Sequence, residues 1–149
     1  MPDNIPILFI NKEGSWFADG ELMSKLESVK LFSEKISRNA NNTYSVILEN
    51  KNYPLQVEDV PFVIDELIVE KDKTKIRLTD SRIFEFSPDI IILKKNIAYI
   101  SLFFNIDTRF SRKAQWQLNT LLVEEGGLLY LDLSSKKIPI HSEVSNDSR

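Results

Sequence analysis

The sequence predicts an α+β fold made of two structurally similar halves, each an antiparallel β-meander packed on one helix. Of its 149 residues, 42% are hydrophobic and 28% are charged, which is ordinary for a globular domain. Two stretches have the hydrophobic spacing of amphipathic helices, and short alternating runs bounded by turn residues surround both. A chain of this length buries roughly 68–70% of its unfolded surface, so it forms a core without disulfides.

The N-terminal half is expected to begin with a strand and a helix. Residues 14–17 precede Asp19-Gly20, a pattern typical of a short strand that ends in a turn. A helix is predicted over residues 22–36, because Leu22, Val29 and Ile36 fall within one arc at 100° per residue. The asparagine-rich residues 39–42 end it.

Residues 44–57 predict a β-hairpin, since apolar and polar residues alternate on both sides of a turn at residues 50–52. Pro54 lies inside the second run, which predicts an edge strand or a bulge there. From Phe62 onwards, alternating runs predict a meander. Residues 90–93 and 97–104 are apolar on both faces, as in strands that are covered on two sides.

A second helix is predicted over residues 108–125, with Phe110, Ala114 and Leu118 on one side. Gly126-Gly127 follow it, as glycine often does just past a helix end. Residues 128–133 and 137–140 predict another hairpin. Residues 142–149 predict a disordered polar tail.

The order of elements repeats: helix, stop, strand, polar turn, and a strand that contains proline. When Pro54 is set on Pro139, Leu48 also falls on Leu133. The sequence therefore favours a duplication. We predict an N-terminal α+β half at residues 1–60, a C-terminal half with many strands and one helix at residues 61–141, and the tail at residues 142–149.

The composition argues against familiar enzymes. The chain has no cysteine and one histidine, His141, so thiolate sites, histidine-clustered zinc sites and serine–histidine triads lack their usual members. Glu58 and Asp59 are adjacent, so in a strand they would point to opposite faces and could not act as a pair. We expect no catalytic residues, no cofactor and no metal; a hydrolase that uses carboxylates and a metal is a third alternative.

The net charge and the hydropathy pattern limit the classes of partner that the chain is expected to bind. The formal net charge of −3 argues against broad binding of nucleic acid, which needs a dense cationic face. No apolar run approaches the ~20 residues of a membrane span, and the N-terminus has no pattern typical of a secretory signal. We therefore expect a cytoplasmic protein with no membrane span and no nucleic-acid partner.

Three motifs resemble one family: Gly-Ser-Trp-Phe at residues 14–17, Val-Lys-Leu-Phe at residues 29–32 and Val-Glu-Asp-Val-Pro-Phe at residues 57–62. With Arg109 and Arg112, which match two family arginines three residues apart, they resemble the bacterial domain of unknown function 1285 over residues 7–123. The resemblance implies a duplicated α+β fold whose C-terminal half is similar to pleckstrin-homology-like domains, and it implies no activity. Lys25 stands where the family usually has arginine, which would weaken bidentate anion recognition.

The predicted second helix carries a polar stripe opposite its apolar side. Arg109, Arg112 and Trp116 are three and four residues apart, which places them on this stripe, and Val123 joins it. An interface between the two halves, with the arginines paired to Glu58 or Asp59, would account for the stripe. A ligand or a partner protein is the alternative.

Three further features concern the other predicted binding residues, and the first two have two interpretations each. Lys25 falls inside the apolar arc of the first predicted helix, either with its stem along the core or as a partly buried cation that awaits an anion. Trp16, after a glycine turn, is typical of a core anchor and alternatively serves as a ligand platform. The Glu58-Asp59 turn is expected to be structural, with a carboxylate that accepts backbone or arginine hydrogen bonds.

We predict from these residues a non-enzymatic binding module. Three cations near element ends in an acidic chain favour recognition of a small anionic or phosphorylated ligand between the two halves, with a regulatory or signalling role. A protein-interaction domain without a small ligand, which would use Trp116 and Val123 or a sheet edge, is the alternative. The predicted ligand-binding residues are Trp16, Lys25, Glu58, Asp59, Arg109, Arg112 and Trp116.

Overall fold

The computed structural model describes residues 5–133 and 136–143, which form two β-sheets and two α-helices. The predicted α+β class is confirmed. The described residues divide into two compact units: the first runs to Pro61 and also includes Thr79–Arg82, and the second contains Phe62–Leu78 and the described residues from Ile83 onwards.

The first unit contains a six-stranded sheet and helix α1, Leu26–Glu34. Its strands are β1 Leu8–Ile10, β2 Trp16–Ala18, β3 Glu21–Leu22, β4 Ile36–Arg38, β5 Tyr44–Leu48 and β6 Lys51–Val57. Their order in the sheet is β3-β2-β1-β6-β5-β4. Strands β1 and β6 are parallel, and the other neighbours are antiparallel.

The second unit contains a nine-stranded sheet and helix α2, Arg112–Asn119. Its strands are β7 Phe62–Val69, β8 Thr74–Leu78, β9 Ile83–Glu85, β10 Ile91–Lys94, β11 Ile97–Ile100, β12 Thr108–Phe110, β13 Leu122–Glu125, β14 Leu128–Leu133 and β15 Lys136–Ser142. Their order is β13-β14-β15-β10-β11-β12-β7-β8-β9. Two neighbouring pairs, β10 with β15 and β12 with β7, are parallel.

The second helix is shorter than its periodicity predicts. Residues 108–110 and 122–125 are strands, so the predicted helix over 108–125 is wrong at both ends. The Ser111 hydroxyl caps α2 by accepting a hydrogen bond from the Ala114 N–H at 3.1 Å. Gly126-Gly127 form the turn between β13 and β14, with φ of 60° and 82°. They do not end a helix: a two-residue hairpin turn with both φ positive favours glycine equally.

The first helix is also shorter than predicted, because Leu22 lies in β3 and Ile36 in β4. Ile36 is buried, so it points towards the core from a strand as it would have from a helix. The predicted strands at 97–104 also need correction. Strand β11 ends at Ile100, and residues 101–107 form a loop before β12.

Strand β6 lies between β1 and β5, so the predicted edge position of Pro54 is wrong. Pro54 directly precedes Leu55, where the pairing with β1 begins. The proline therefore lies where the parallel neighbour supplies no partner for a backbone N–H. Pro139 has the same place in β15, directly before Ile140, which pairs with β10.

Helix α2 follows β12, and two of its side chains bond to β7 and β11, the strands on either side of β12. The Gln117 side chain accepts a hydrogen bond from the Leu67 N–H at 2.9 Å and donates one to the Leu67 carbonyl at 3.1 Å. The side-chain Oε1 of Gln115 accepts a hydrogen bond from the Ala98 N–H at 2.7 Å. The two glutamines thus satisfy backbone groups of β7 and β11 that β12 does not reach.

The predicted tail at residues 142–149 is described only in part. Ser142 is the last residue of β15, where it pairs with Leu93 of β10. Residues 144–149 lie outside the described residues. The boundary at residue 60 and the disorder of the tail stay predictions.

Candidate functional site

The seven predicted binding residues are divided between the two units. The first unit holds Trp16, Lys25, Glu58 and Asp59, and the second holds Arg109, Arg112 and Trp116.

Trp16 lies in β2 and is buried, with 3% of its surface exposed. Its ring meets Phe32 of α1 edge to face, with centroids 6.1 Å apart, an arrangement that aromatic pairs favour. This position fits the core-anchor interpretation. Its remaining accessible surface borders a groove that is described below.

Lys25 does not lie within the apolar arc of a helix, because α1 begins one residue later at Leu26. The residue is exposed and has extended backbone. Its carbonyl accepts hydrogen bonds from the N–H groups of Ser28 and Val29 at 3.0 and 3.1 Å. Lys25 therefore starts the helix through its backbone, and its side chain is not the partly buried cation that the sequence allowed.

Glu58 and Asp59 follow the end of β6 and are both exposed. Glu58 Oε1 accepts a hydrogen bond from the Lys12 N–H at 2.8 Å, and the Glu58 N–H donates to the Ile10 carbonyl at 2.9 Å. The expectation that a carboxylate of this turn accepts a backbone hydrogen bond is confirmed for Glu58. The bond fixes the turn beside the β1–β2 connection.

Arg109 belongs to β12 and is half-buried, so the predicted helical stripe of Arg109, Arg112 and Trp116 is wrong. Its guanidinium carbon lies 5.9 Å from the ring centroid of Tyr99, which is directly opposite in β11. Lys94 Nζ lies 5.2 Å from the centroid of the same ring. Both distances are typical of cation–π contacts. We call Lys94, Tyr99 and Arg109 the Tyr99 cluster.

The Tyr99 cluster lies on one face of the nine-stranded sheet. Tyr99 pairs with Ile92 on one side and with Arg109 on the other, and Arg109 pairs with Val63. Residues opposite one another in neighbouring strands share a face. Because alternate residues of a strand share a face, Lys94 joins this row from β10.

Arg112 and Trp116 remain together, one turn apart on α2, as predicted. Both are exposed, and 72% of the Trp116 surface is accessible. Ala114 and Leu118 are the buried residues of this helix. Val123 does not join the outer face of α2, because it lies half-buried in β13 opposite Tyr130.

A groove of about 210 Å³ opens in the first unit between β3 and the start of α1. Trp16, Met23, Leu26 and Val29 give it apolar walls, and Glu13 is its charged lining residue. The remaining lining residues are Gly14, Ser15, Leu22, Ser24 and Thr79. A groove with this lining fits an apolar group better than an anion.

Residues 5–133 and 136–143 contain neither a group of metal ligands nor a membrane-spanning helix. No three side chains of histidine, aspartate or glutamate there are grouped so that they could hold a metal ion. Neither described helix has the length and apolar character that crossing a membrane requires.

Two solved structures are similar to this chain. A DUF1285 family protein from Silicibacter pomeroyi DSS-3 matches with a TM-score of 0.76 and 20% identity, over 94% of this chain and 82% of the other. A second, from Shewanella baltica OS155, matches with a TM-score of 0.64 and 19% identity, over 79% of this chain and 94% of the other. This chain has the DUF1285 fold. The predicted resemblance is therefore confirmed at the level of fold. No family model matches the sequence, and no curated protein matches it.

Sequence reasoning missed two parts of this DUF1285 fold that could bind a ligand. Lys94 and Tyr99 meet Arg109 only through the pairing of three strands. The groove beside Trp16 depends on β3, whose second residue, Leu22, is the first residue of the predicted helix. The exposed Asp19-Gly20 turn was the one local signal, since an aspartate–glycine pair favours a two-residue hairpin.

Proposed function

We propose that this chain is a non-enzymatic binding module that recognises a small anionic or phosphorylated ligand and has a regulatory or signalling role. The observation that carries the proposal is the Tyr99 cluster, in which Lys94 Nζ and the guanidinium carbon of Arg109 lie 5.2 and 5.9 Å from one ring centroid. Each cation attracts an anion, and two cations against one ring add their attraction for a ligand that lies beside both. A guanidinium fork also suits the geometry of phosphate and carboxylate groups.

We further propose that the two sheets derive from one duplicated unit. The orders β3-β2-β1-β6-β5-β4 and β12-β11-β10-β15-β14-β13 correspond strand for strand, and the fourth strand of each joins the third in parallel. A helix follows the first strand of each order. Pro54 and Pro139 have matching positions, which adds support. The pleckstrin-homology-like character of the C-terminal half, implied by the family resemblance, stays a prediction.

The substitution Lys94→Ala tests the anion proposal. We expect millimolar phosphorylated compounds (nucleotides, phosphosugars and lipid head groups) to raise the melting temperature, because a ligand that binds only the folded state stabilises it. Losing one charge-assisted contact should weaken affinity about tenfold or more. Lys95→Ala is the matched control, since Lys95 is exposed and forms the β10–β11 turn. The proposal fails if no compound stabilises the wild type, or if both variants respond alike.

A second candidate function is a protein-interaction domain, and the exposure of Trp116 favours it. Exposed tryptophan is costly to leave in water and is enriched among residues that dominate interfaces. We expect Trp116→Ala to abolish capture of a partner from native lysate while the free energy of unfolding changes by no more than about 0.5 kcal/mol. Lys113→Ala, on the same helix, is the control. Equal capture by both variants would count against this function.

A further inference from the structure

Strand β3 has an open outer edge. Within the described residues it pairs with β2 alone, at the end of the six-stranded sheet. The Met23 N–H donates to the Trp16 carbonyl at 2.8 Å. Antiparallel pairs alternate between hydrogen-bonded and non-hydrogen-bonded, so the N–H and C=O of Leu22 point away from β2. Ser24 lies outside β3, and we expect its N–H to point outward as well, because the Met23 bond continues the alternation past Leu22.

The corresponding edge of the second sheet is occupied. In the proposed duplication β12 corresponds to β3: each follows a strand with which it pairs antiparallel, and each precedes the helix of its unit. Leu22 pairs with the aromatic Phe17, as Arg109 pairs with the aromatic Tyr99. Leu22 and Arg109 therefore hold matching positions.

Strand β7 covers the outer edge of β12 as a parallel neighbour. The Ser111 N–H donates to the Ile64 carbonyl at 2.9 Å, and the Phe62 N–H donates to the Asp107 carbonyl at 3.2 Å. The segment Phe62-Val63-Ile64 is buried on both of its faces. The chain thus shows what this type of edge accepts, which is an extended segment of consecutive apolar residues.

Both sides of β3 offer apolar surface to such a segment. On one side lies the groove walled by Trp16, Met23 and Leu26. Leu22 also borders the groove, but its side chain shares the opposite face of the sheet with Phe17, its partner in β2, and the residue is 60% exposed. Successive side chains of an added strand point to opposite faces, so each would meet one of these two surfaces.

Charge around the edge favours one kind of segment. Glu13 is the charged residue among those that line the groove, and Glu21 is exposed on β3 itself. Lys25, which is also exposed, is the one cation among residues 19–25, so these two carboxylates outnumber it. Lysine or arginine beside the apolar residues would complement both carboxylates and would steer association.

We propose that the outer edge of β3 binds an extended peptide segment of a partner protein, aligned parallel to β3, with consecutive apolar residues flanked by basic ones. Main-chain hydrogen bonds to Leu22 and Ser24 would hold the segment, and the groove would select its apolar side chain. This inference rests on the proposed duplication and is independent of anion binding at the Tyr99 cluster.

The probe is the capped peptide Lys-Ser-Phe-Val-Ile-Ser-Lys, whose centre repeats the sequence of β7. We expect saturable binding by titration calorimetry, with amide NMR shifts centred on residues 22–24. A peptide with proline in place of isoleucine lacks the N–H that would reach the Leu22 carbonyl, because in β7 the residues on either side of Val63, Phe62 and Ile64, bond to the β12 edge. A peptide with glutamate at both ends repels Glu13 and Glu21. Each change should weaken binding about tenfold, the effect of roughly 1.4 kcal/mol.

A pair of chain variants isolates the backbone contribution. Leu22→Pro removes the outward N–H, and the pairing with β2 does not use that group, so proline is tolerated at this edge. Leu22→Ala removes the same side chain and keeps the N–H. We expect Leu22→Pro to bind the probe about tenfold more weakly than Leu22→Ala, the loss of about one hydrogen bond. Circular dichroism confirms that both variants fold.

The inference is overturned if the wild type does not bind the probe at millimolar concentration, if the proline-containing peptide binds equally well, or if the two Leu22 variants bind alike. Lys94→Ala is expected to bind the probe as the wild type does. Failure of anion binding at the Tyr99 cluster would therefore leave this result unchanged, and the two proposals can fail separately.

Discussion

Replacement of Asp80 by alanine is expected to destabilise the protein by about 3–5 kcal/mol, the usual cost of removing one partner from a buried ion pair. Asp80 is 2% exposed. Its carboxylate accepts hydrogen bonds from the Arg82 guanidinium at 2.9 and 3.0 Å, from the Arg82 N–H at 2.9 Å and from the Ser33 hydroxyl at 2.6 Å. The substitution removes all four contacts at once. Urea unfolding followed by circular dichroism measures the effect.

Asp89→Ala is the matched control for this prediction. Asp89 is also an aspartate in an ion pair, with Lys136 at 3.6 Å, but its side chain is fully exposed. Exposed pairs contribute about 0–1 kcal/mol. If the two substitutions cost the same, the buried cluster is not the stabilising feature that its geometry indicates.

The Asp80 cluster also bears on the groove. It holds the segment Thr79–Arg82 against Ser33 of α1, and Thr79 both lines the groove and donates a hydrogen bond to the Gly14 carbonyl at 3.3 Å. We therefore expect Asp80→Ala to weaken binding of the peptide probe as well as stability. Asp89→Ala should leave binding unchanged.

The sequence predicted the fold class and most strands, because alternation and turn residues are local signals. Both predicted helices are longer than the observed ones, and one physical reason accounts for both. Phe110 in β12 and Ile36 in β4 are buried like the inner residues of the helices beside them. Their spacing continues the helical pattern even though the backbone has changed to strand. Burial shows in the sequence, whereas the hydrogen-bonding partner of the backbone does not.

The features of the candidate site also separate into those with a local sequence signal and those without one. The position of Arg112 and Trp116 opposite the buried side of the helix, and the hydrogen bond that Glu58 accepts, follow from local pattern and were predicted, whereas an interface that covers Arg112 and Trp116 was the expectation and both are exposed. The Tyr99 cluster requires the register of three strands. The Asp80 contact to Ser33 joins residues 47 apart in sequence. Contacts of that kind have no local signature, so no single sequence reveals them.

Replacement of Asp107 by alanine is expected to cost about 3 kcal/mol or more, since each hydrogen bond to a charged group contributes roughly 1.5–3 kcal/mol and such bonds within one network are not additive. Asp107 is fully buried in the loop between β11 and β12. Four donors surround its carboxylate at 2.7–2.9 Å: the N–H groups of Leu102, Phe103 and Phe104 and the Thr108 hydroxyl.

Ser101→Ala is the control in the same loop. The Ser101 hydroxyl accepts one hydrogen bond, from the Ile106 N–H at 2.7 Å, and the residue is exposed. Its loss should cost no more than about 0.5–1.5 kcal/mol. If both substitutions lower the free energy of unfolding in urea equally, any change in this loop destabilises the protein, and the buried carboxylate has no special role.

Loss of the Asp107 side chain should also weaken the pairing between β12 and β7. The Asp107 carbonyl accepts the hydrogen bond of the Phe62 N–H, at the point where β7 joins β12. A loop that no longer fixes this carbonyl should let the start of β7 open more often, because local opening reflects the loss of fixed partners. Hydrogen exchange at Phe62 and Ile64 is therefore expected to accelerate in Asp107→Ala and to stay slow in Ser101→Ala. Unchanged exchange at Phe62 would mean that β7 holds its place through its apolar side chains, and a peptide at β3 would then depend on the groove more than on the backbone.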